Sequence, residues 1–340
     1  MAGFAHRPNI FSCNPDRNWS NLPEDTSIRI QEPSEQEEVE TKKASIEVFG
    51  VGQCSLDYVG KIQAYPPPDR KCEFSEMVIQ GGGPVATALV ALARWGVSCA
   101  FAGVLGDDLF GRMIKESLEA EGIDTHGVRV RMGTDSQFAF IAAEPGLGRR
   151  TIFWRRPTGP PLTPEEIDIR RVERAKILHT DGRFAEASLT ACKAARRAGV
   201  PVVADADSFH EGLVDLARVS DYFIASENFA AAFLGKENPR EACYRIADLG
   251  PRVAGVTLGP RGYIALAEGR LIEKPAYRVE AVDTTGCGDV FHSGFIYGLL
   301  QGWEYEKCFE FAAWAAAMVS LKMGGRSGIP TPQQIRERGF

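Results

Sequence analysis

The stretch VDTTGCGDVFHSGF, residues 282–295, sets an aspartate, two threonines and two glycines ahead of a second aspartate. Apolar and small residues follow at roughly helical spacing, so residues 286–289 fall at a predicted helix N-terminus. Glycine lets backbone amides turn toward one point without interference from a Cβ atom. Free amides and the helix dipole together make that point a site for an anion. An aspartate there, Asp289, would repel a phosphate that was only being bound. It makes chemical sense as a base that takes a proton from a hydroxyl, while the amides stabilise charge arriving on a phosphoryl group. The run alone leaves a second reading open, a capped helix whose glycines serve tight packing.

Three other segments repeat the theme. TLGPRG (257–262) ends a predicted strand in a glycine turn suited to approaching a nucleotide's phosphates. IQGGGPVATALVALARWG (79–96) sets three glycines before a helix that Gly96 closes. LGDDLFG (105–111) is a further turn of acids and glycines. A lone glycine turn means little; the common arrangement is what shifts the reading toward an anion site.

Composition excludes several classes. The chain has 340 residues, 44% of them apolar and 25% charged, as in an ordinary soluble globular protein. A net charge of −6 gives no overall basic balance to attract nucleic acid or acidic membrane. The eight cysteines are scattered without C-x-x-C spacing, which argues against zinc or disulfides and for reduced thiols. The N-terminus lacks a continuous apolar signal region, and there is no long apolar run to span a membrane. The expectation is a cytoplasmic protein.

Texture divides the chain. Residues 1–44 are polar and acidic, and read as a flexible extension. Residues 45–332 alternate predicted strands (IEVFGVG, SCAFAGVLG, AKILHTDG, VPVVADAD, DYFIAS, RVAGVTLG) with helices. That alternation predicts an α/β fold, a doubly wound and mostly parallel sheet covered by helices on both faces. Two β-rich interruptions, near 57–80 and 137–156, are expected to pair as a small sheet that lids the site. Residues 333–340 read as a C-terminal tail.

These segments in this order resemble the ribokinase-like (PfkB-type) carbohydrate kinase family, over roughly residues 45–332. DTTGCGDVF is similar to the family's C-terminal signature, with Cys287 in place of alanine, and GGGPVATALVALARWG…GVLGDDLFG to its N-terminal one. The resemblance implies a sugar kinase using ATP and Mg²⁺. It implies Asp289 as catalytic base, with the amides of Gly286, Cys287 and Gly288 as the anion hole. Thr257, Gly259 and Gly262 would approach ATP, and Ala313 would flank the adenine. Asp57, matching the acid at the end of the first strand, would bind sugar hydroxyls, with Gly82 and Gly83 lining the sugar's other side. The lid is often a dimer surface in this family, which implies a homodimer.

The departures concern ions. The family's N-x-x-E stretch is SENFAAAFLG here, with Ser226 and Phe229 in the signature positions, and only Glu227 remains as an outer-shell carboxylate for the metal. Asp283 is kept in the monovalent-cation loop, but Gly328 stands where ribokinases have a serine, which leaves K⁺ activation open. The motifs are most similar to the sulfofructose kinase and ketohexokinase-like branch. A ketose phosphorylated at a primary hydroxyl is therefore the expected acceptor. Lys71, Arg155 and Arg183 could converge on an acidic or sulfonated substituent, or stand as exposed charges at the lid edge. His292, Trp154 and Trp314 read as packing residues, and Asp205 and Asp207 end a strand at the edge of the site. A nucleoside kinase with an aromatic clamp in the lid, and a ligand-binding protein without turnover, are the competing functions. A dinucleotide-binding oxidoreductase is disfavoured by the lack of G-x-G-x-x-G between the first strand and helix.

Overall fold

The computed structural model describes residues 45–144 and 149–340; the expected N-terminal extension, 1–44, lies outside them. Among the described residues, β1 (Val48–Val51), β4 (Cys99–Gly106), β5 (Asp124–Arg131), β8 (Ile177–Thr180), β9 (Val202–Ala206), β10 (Tyr222–Ser226) and β11 (Val253–Thr257) run parallel in one sheet. The hairpin β12 (Tyr263–Ala267) and β13 (Arg270–Lys274) extends it antiparallel, in the order β13-β12-β11-β10-β9-β8-β1-β4-β5.

Strand alternation divides the core in two. Val48, Tyr222 and Ile224 face one apolar cluster, while Phe49, Val51, Phe223 and Ala225 face the other. The first cluster is closed by α1 (Pro84–Arg94), α2 (Leu109–Ala120), α8 (Cys287–Leu300) and α9 (Tyr305–Val319). The second is closed chiefly by α4 (Ala185–Arg197), α5 (Glu211–Val219), α6 (Glu227–Leu234) and α7 (Pro239–Ala247). Burial on both faces is why the inner strands read as near-continuous apolar runs, whereas the edge strand β5, DTHGVRVR, is partly exposed and polar.

The two β-rich interruptions pair as expected. β2 (Ser55–Lys61), β3 (Glu76–Gly82), β6 (Phe138–Glu144) and β7 (Arg149–Arg155) form a separate sheet in the order β3-β2-β6-β7. Val59, Ala139 and Ile141 from one face pack on Met323, with Val78 and Val282 against them. That contact seats the lid on the two loops at the start and end of the α8–α9 unit. The opposite face carries Met77, Ile79, Phe140 and Phe153, all exposed.

The C-terminal tail is a correction. Residues Pro332–Arg338 form α10, opened by a capping box between Thr331 and Gln334. Phe340 then packs 5.0 Å from Phe311 and 5.6 Å from Trp314, ring centroid to ring centroid. These ring contacts, with a third to Trp303, hold the segment to the first cluster.

The α8–α9 pair packs aromatic rings into the first cluster. Phe309 is 1% exposed and lies 4.7 Å from Phe295 and 5.3 Å from Tyr263 between ring centroids. Truncating it to alanine is expected to lower unfolding stability by about 3–5 kcal/mol, read from urea denaturation.

Candidate active site

The signature run folds around a carboxylate. Asp283 is buried, and its Oδ1 accepts hydrogen bonds from the Thr285 amide at 2.9 Å and the Thr285 hydroxyl at 2.7 Å. Its Oδ2 accepts from the Gly324 amide at 2.8 Å. These bonds turn the chain so that Gly286 becomes the N-cap of α8, with φ of 76°. A Cβ at Gly286 would lie 2.4 Å from the Gly325 Cα, so both loops approach as bare backbone. A Cβ at Gly288 would meet nothing within 4 Å, which leaves that side of the helix end open. The Cys287 amide makes only a 3.4 Å turn contact, to the Thr284 carbonyl. Burial pushes the Cys287 thiol up to about 12, so the residue offers its amide and not a thiolate.

Asp289 is the third residue of α8, half-buried at the foot of this cradle. Burial pushes its pKa up to about 8; Asp205 and Asp57 add to the rise, and His292 and Arg150 oppose it. A carboxyl displaced that far is a proton acceptor suited to work near neutral pH.

Asp57 is buried but sits within β2 of the lid sheet, paired with Gln80, not at the end of the first strand. β1 stops at Val51, so the match to a strand-end acid is corrected in position. Its Oδ1 accepts from the Ser55 hydroxyl at 2.7 Å. Gly82, opposite Ser55 in the register, leaves room for the carboxylate, since a Cβ there would fall 2.0 Å from the Asp57 Oδ2, and Gly83, with φ of 94°, opens α1. Asp181, not singled out from the sequence, ends the β8 turn buried, accepting from the Gln53 amide at 2.8 Å and the Arg183 amide at 3.0 Å. Pro84, Asp181, Arg183, Asp205, Asp207 and His210 line one small cavity here.

Strand register sorts the lid residues. Asp57, Ala139 and Trp154 are partners across β2, β6 and β7, so they share a face. Arg150 is on that face too, four residues before Trp154, and its Nη1 donates to the Thr284 hydroxyl at 2.5 Å. Arg155 is one residue out of phase and so points to the other face, where it pairs with Asp135 at 2.7 Å. Its expected place on the substrate is corrected by that parity. Lys71 is exposed on the loop between β2 and β3. Trp154 is 47% exposed on the site face, which corrects its reading as a packing residue, whereas Trp314 is buried as expected.

On the other flank, Thr257 ends β11, and Gly259 and Gly262 take positive φ values of 56° and 98°. A Cβ at Gly262 would lie 2.0 Å from the Lys274 carbonyl oxygen, so the turn admits no side chain. Ala313 is half-buried on α9. Glu227, at the start of α6, is ion-paired with Arg261 of the TLGPRG turn, and so is not a free carboxylate for a metal. Ser226 caps α6 by accepting from the Phe229 amide at 3.1 Å.

An open amide cradle, a displaced carboxyl and a glycine turn beside the neighbouring strand end are thus present together. The family model for pfkB family carbohydrate kinases matches residues 45–332. The chain belongs to the pfkB carbohydrate kinase family. An ATP-dependent ribose-1-phosphate kinase of Halopiger xanaduensis is 26% identical over 296 residues, 85% of this chain and 97% of that protein. Fructokinase-1 of Oryza sativa subsp. japonica is 26% identical over 313 residues, 85% of this chain and 96% of that protein. A solved structure from Agrobacterium tumefaciens, provisionally a ribokinase, superposes with a TM-score of 0.79 at 27% identity, covering 86% of this chain and 97% of that one. The protein is a carbohydrate kinase with the ribokinase-like fold.

Two glycines of the kinase separate strain from collision. Gly259→Ala has open space and is expected to cost only the left-handed backbone penalty, roughly 1–2 kcal/mol. Gly286→Ala meets the Gly325 backbone as well, so it is expected to cost more and to abolish turnover. Thermal melts and ADP release on the two variants check the contrast; equal effects would contradict it.

Proposed function

We propose that this kinase transfers the γ-phosphoryl group of MgATP to a primary hydroxyl of a small ketose. The observation that carries the reading is the convergence of Asp289, the open N-terminus of α8 and the lid's Arg150 on one point. Asp289 takes the proton of the acceptor hydroxyl. The amides of Gly286, Cys287 and Gly288 hold the charge that develops on the transferring group, and Arg150 adds a positive charge as the lid closes. Thr257, Gly259 and Gly262 hold the nucleotide, which fits the open space above Gly259. Mg²⁺ needs few protein ligands beside the phosphates, so the ion pair of Glu227 with Arg261 is compatible with its binding. When bound, it neutralises the phosphate oxygens.

Of the three basic residues expected at an anionic acceptor, Arg183 remains, and Asp181, Asp205 and Asp207 surround it. Carboxylates accept hydrogen bonds from hydroxyls and repel sulfonates, which favours a neutral polyol over an acidic sugar. Trp154 on the lid's site face favours a second reading, a nucleoside acceptor stacked on that ring. Asp283 already accepts three hydrogen bonds from the chain, leaving about one of its four acceptor sites, and Gly328 stands where ribokinases have a serine, so we infer that no K⁺ ion is held there. Turnover is expected to be equal in K⁺ and Na⁺ at matched ionic strength; strong activation by K⁺ would contradict that assignment. The lid's exposed outer face, with Met77, Ile79, Phe140 and Phe153, is proposed to pair with a second copy.

Asp289→Asn is expected to lower turnover by about 10²–10⁴ or more while ATP binding and folding are kept. A variant that keeps wild-type turnover would overturn the mechanism. In the wild type, kcat/KM is expected to fall as pH drops through about 8, because protonation removes the base. An acid limb in the ordinary carboxylate range would contradict the burial of Asp289.

A further inference from the structure

His292 lies one turn beyond Asp289 on α8 and is 3% exposed. Its Nδ1 is 2.9 Å from the Gly288 carbonyl oxygen, and its Nε2 is 3.2 Å from the Ile224 carbonyl oxygen of β10. Carbonyls only accept. A neutral imidazole has a single N–H, so one of these two contacts would set a lone pair against an oxygen. In a buried place that forfeits a hydrogen bond and leaves both groups desolvated. With both nitrogens protonated, both contacts are hydrogen bonds.

A counterion is in place. The Asp205 Oδ2 lies 3.4 Å from Nδ1, and both side chains are under a tenth exposed. The groups facing the ring come from every element around it: Asp205 and Asp207 from the end of β9, His179 from β8 and Asp289 from α8 itself. The His179 ring is stacked at 5.9 Å, its Nδ1 bonded to the Val203 carbonyl oxygen at 3.0 Å and its Nε2 without a partner. Burial pushes His179 down to about 3, so it stays neutral and does not compete for the charge.

Burial holds the Asp205 pKa well above the carboxylate range, and the charges of Asp207 and Asp181 raise it further. Burial is the largest influence on His292 and lowers its pKa from the ordinary value, with the Gly288 and Ile224 carbonyls and the Asp289 and Asp207 charges acting the other way. The case for the charge is the pair of carbonyl contacts, which only a doubly protonated ring satisfies. The Asp205–His292 pair therefore keeps one proton that an isolated carboxylate would release. The two carbonyls decide where that proton sits, on the ring.

We propose that His292 is an imidazolium paired with Asp205, a positioning residue that bolts the first turn of α8 to β10 and lowers the pH at which Asp289 ionises. The inference rests on Asp289 as the base. His292 touches the Gly288 carbonyl, one bond from the amide of Asp289, so the ring orients the peptide that carries the base. Its charge also opposes the effect of burial on Asp289.

The experiment has two arms. The first records ring ¹⁵N shifts of histidine-labelled full-length protein across the neutral pH range, with the His292 signals identified by their loss in His292→Gln. Both ring nitrogens are expected in the protonated state throughout; one unprotonated nitrogen would overturn the proposal, whether or not the protein is a kinase. The second compares kcat/KM against pH for wild type and His292→Gln. The acid limb is expected to move up by about one pH unit in the variant, with kcat recovering at high pH and KM for ATP kept. A uniform loss of kcat at every pH, with the limb unmoved, would mean the ring only fills space. If the variant does not fold, Asp205→Asn takes its place in assigning the signals, and the wild-type shifts decide.

Discussion

Three hydrogen bonds to one buried carboxylate give this site its shape. Asp283 gathers the Thr285 amide and hydroxyl on one oxygen and the Gly324 amide on the other, joining loops 41 residues apart in the chain. Only because those loops are joined can Gly286 lie against Gly325 as bare backbone and start α8 in the left-handed region. The helix end then opens where Gly288 has no neighbour, and Asp289 falls on the first turn facing the same space. A charged group so fully enclosed is tolerated because its acceptor capacity is met by the chain.

The lid depends on the same loops. Met323, next to Gly324, and Val282, next to Asp283, are the residues on which Val59, Ala139 and Ile141 settle. The apolar contact that seats the lid therefore rests on the ends of the Asp283 clamp. With the lid seated, Arg150 reaches Thr284, inside the signature run. Shape of the anion cradle and arrival of the lid's charge are thus parts of one arrangement. In the proposed reaction that arrangement brings the Arg150 cation to the transferring group.

Much of this was legible in the chain. Strands buried on both faces are mostly apolar, which is why VPVVADAD and RVAGVTLG could be read as β9 and β11 despite the buried Asp205. The glycine turns declared themselves because few other residues accept their backbone angles. What stayed hidden depended on pairing. Arg155 and Trp154 are neighbours in sequence, yet the register of β6 with β7 sends one outward and the other to the site. Arg150 meets Thr284 across 134 residues, and nothing local in GLGRR marks it. Asp57 was expected at the end of the first strand, and its place on β2 follows from where β1 ends. The Thr331–Gln334 capping box did carry a signal for α10, one masked by its position at the chain end.

The most direct test of the account is phosphoryl transfer itself. Purified full-length protein with MgATP would be offered fructose, sulfofructose, ribose, fructose 6-phosphate and adenosine, with ADP release measured and the products read by ³¹P NMR. The account predicts a phosphomonoester on the primary carbon of a neutral ketose. ATP bound without a phosphorylated product from any of these acceptors would contradict it, and a product from adenosine alone would move the acceptor to the ring that Trp154 offers.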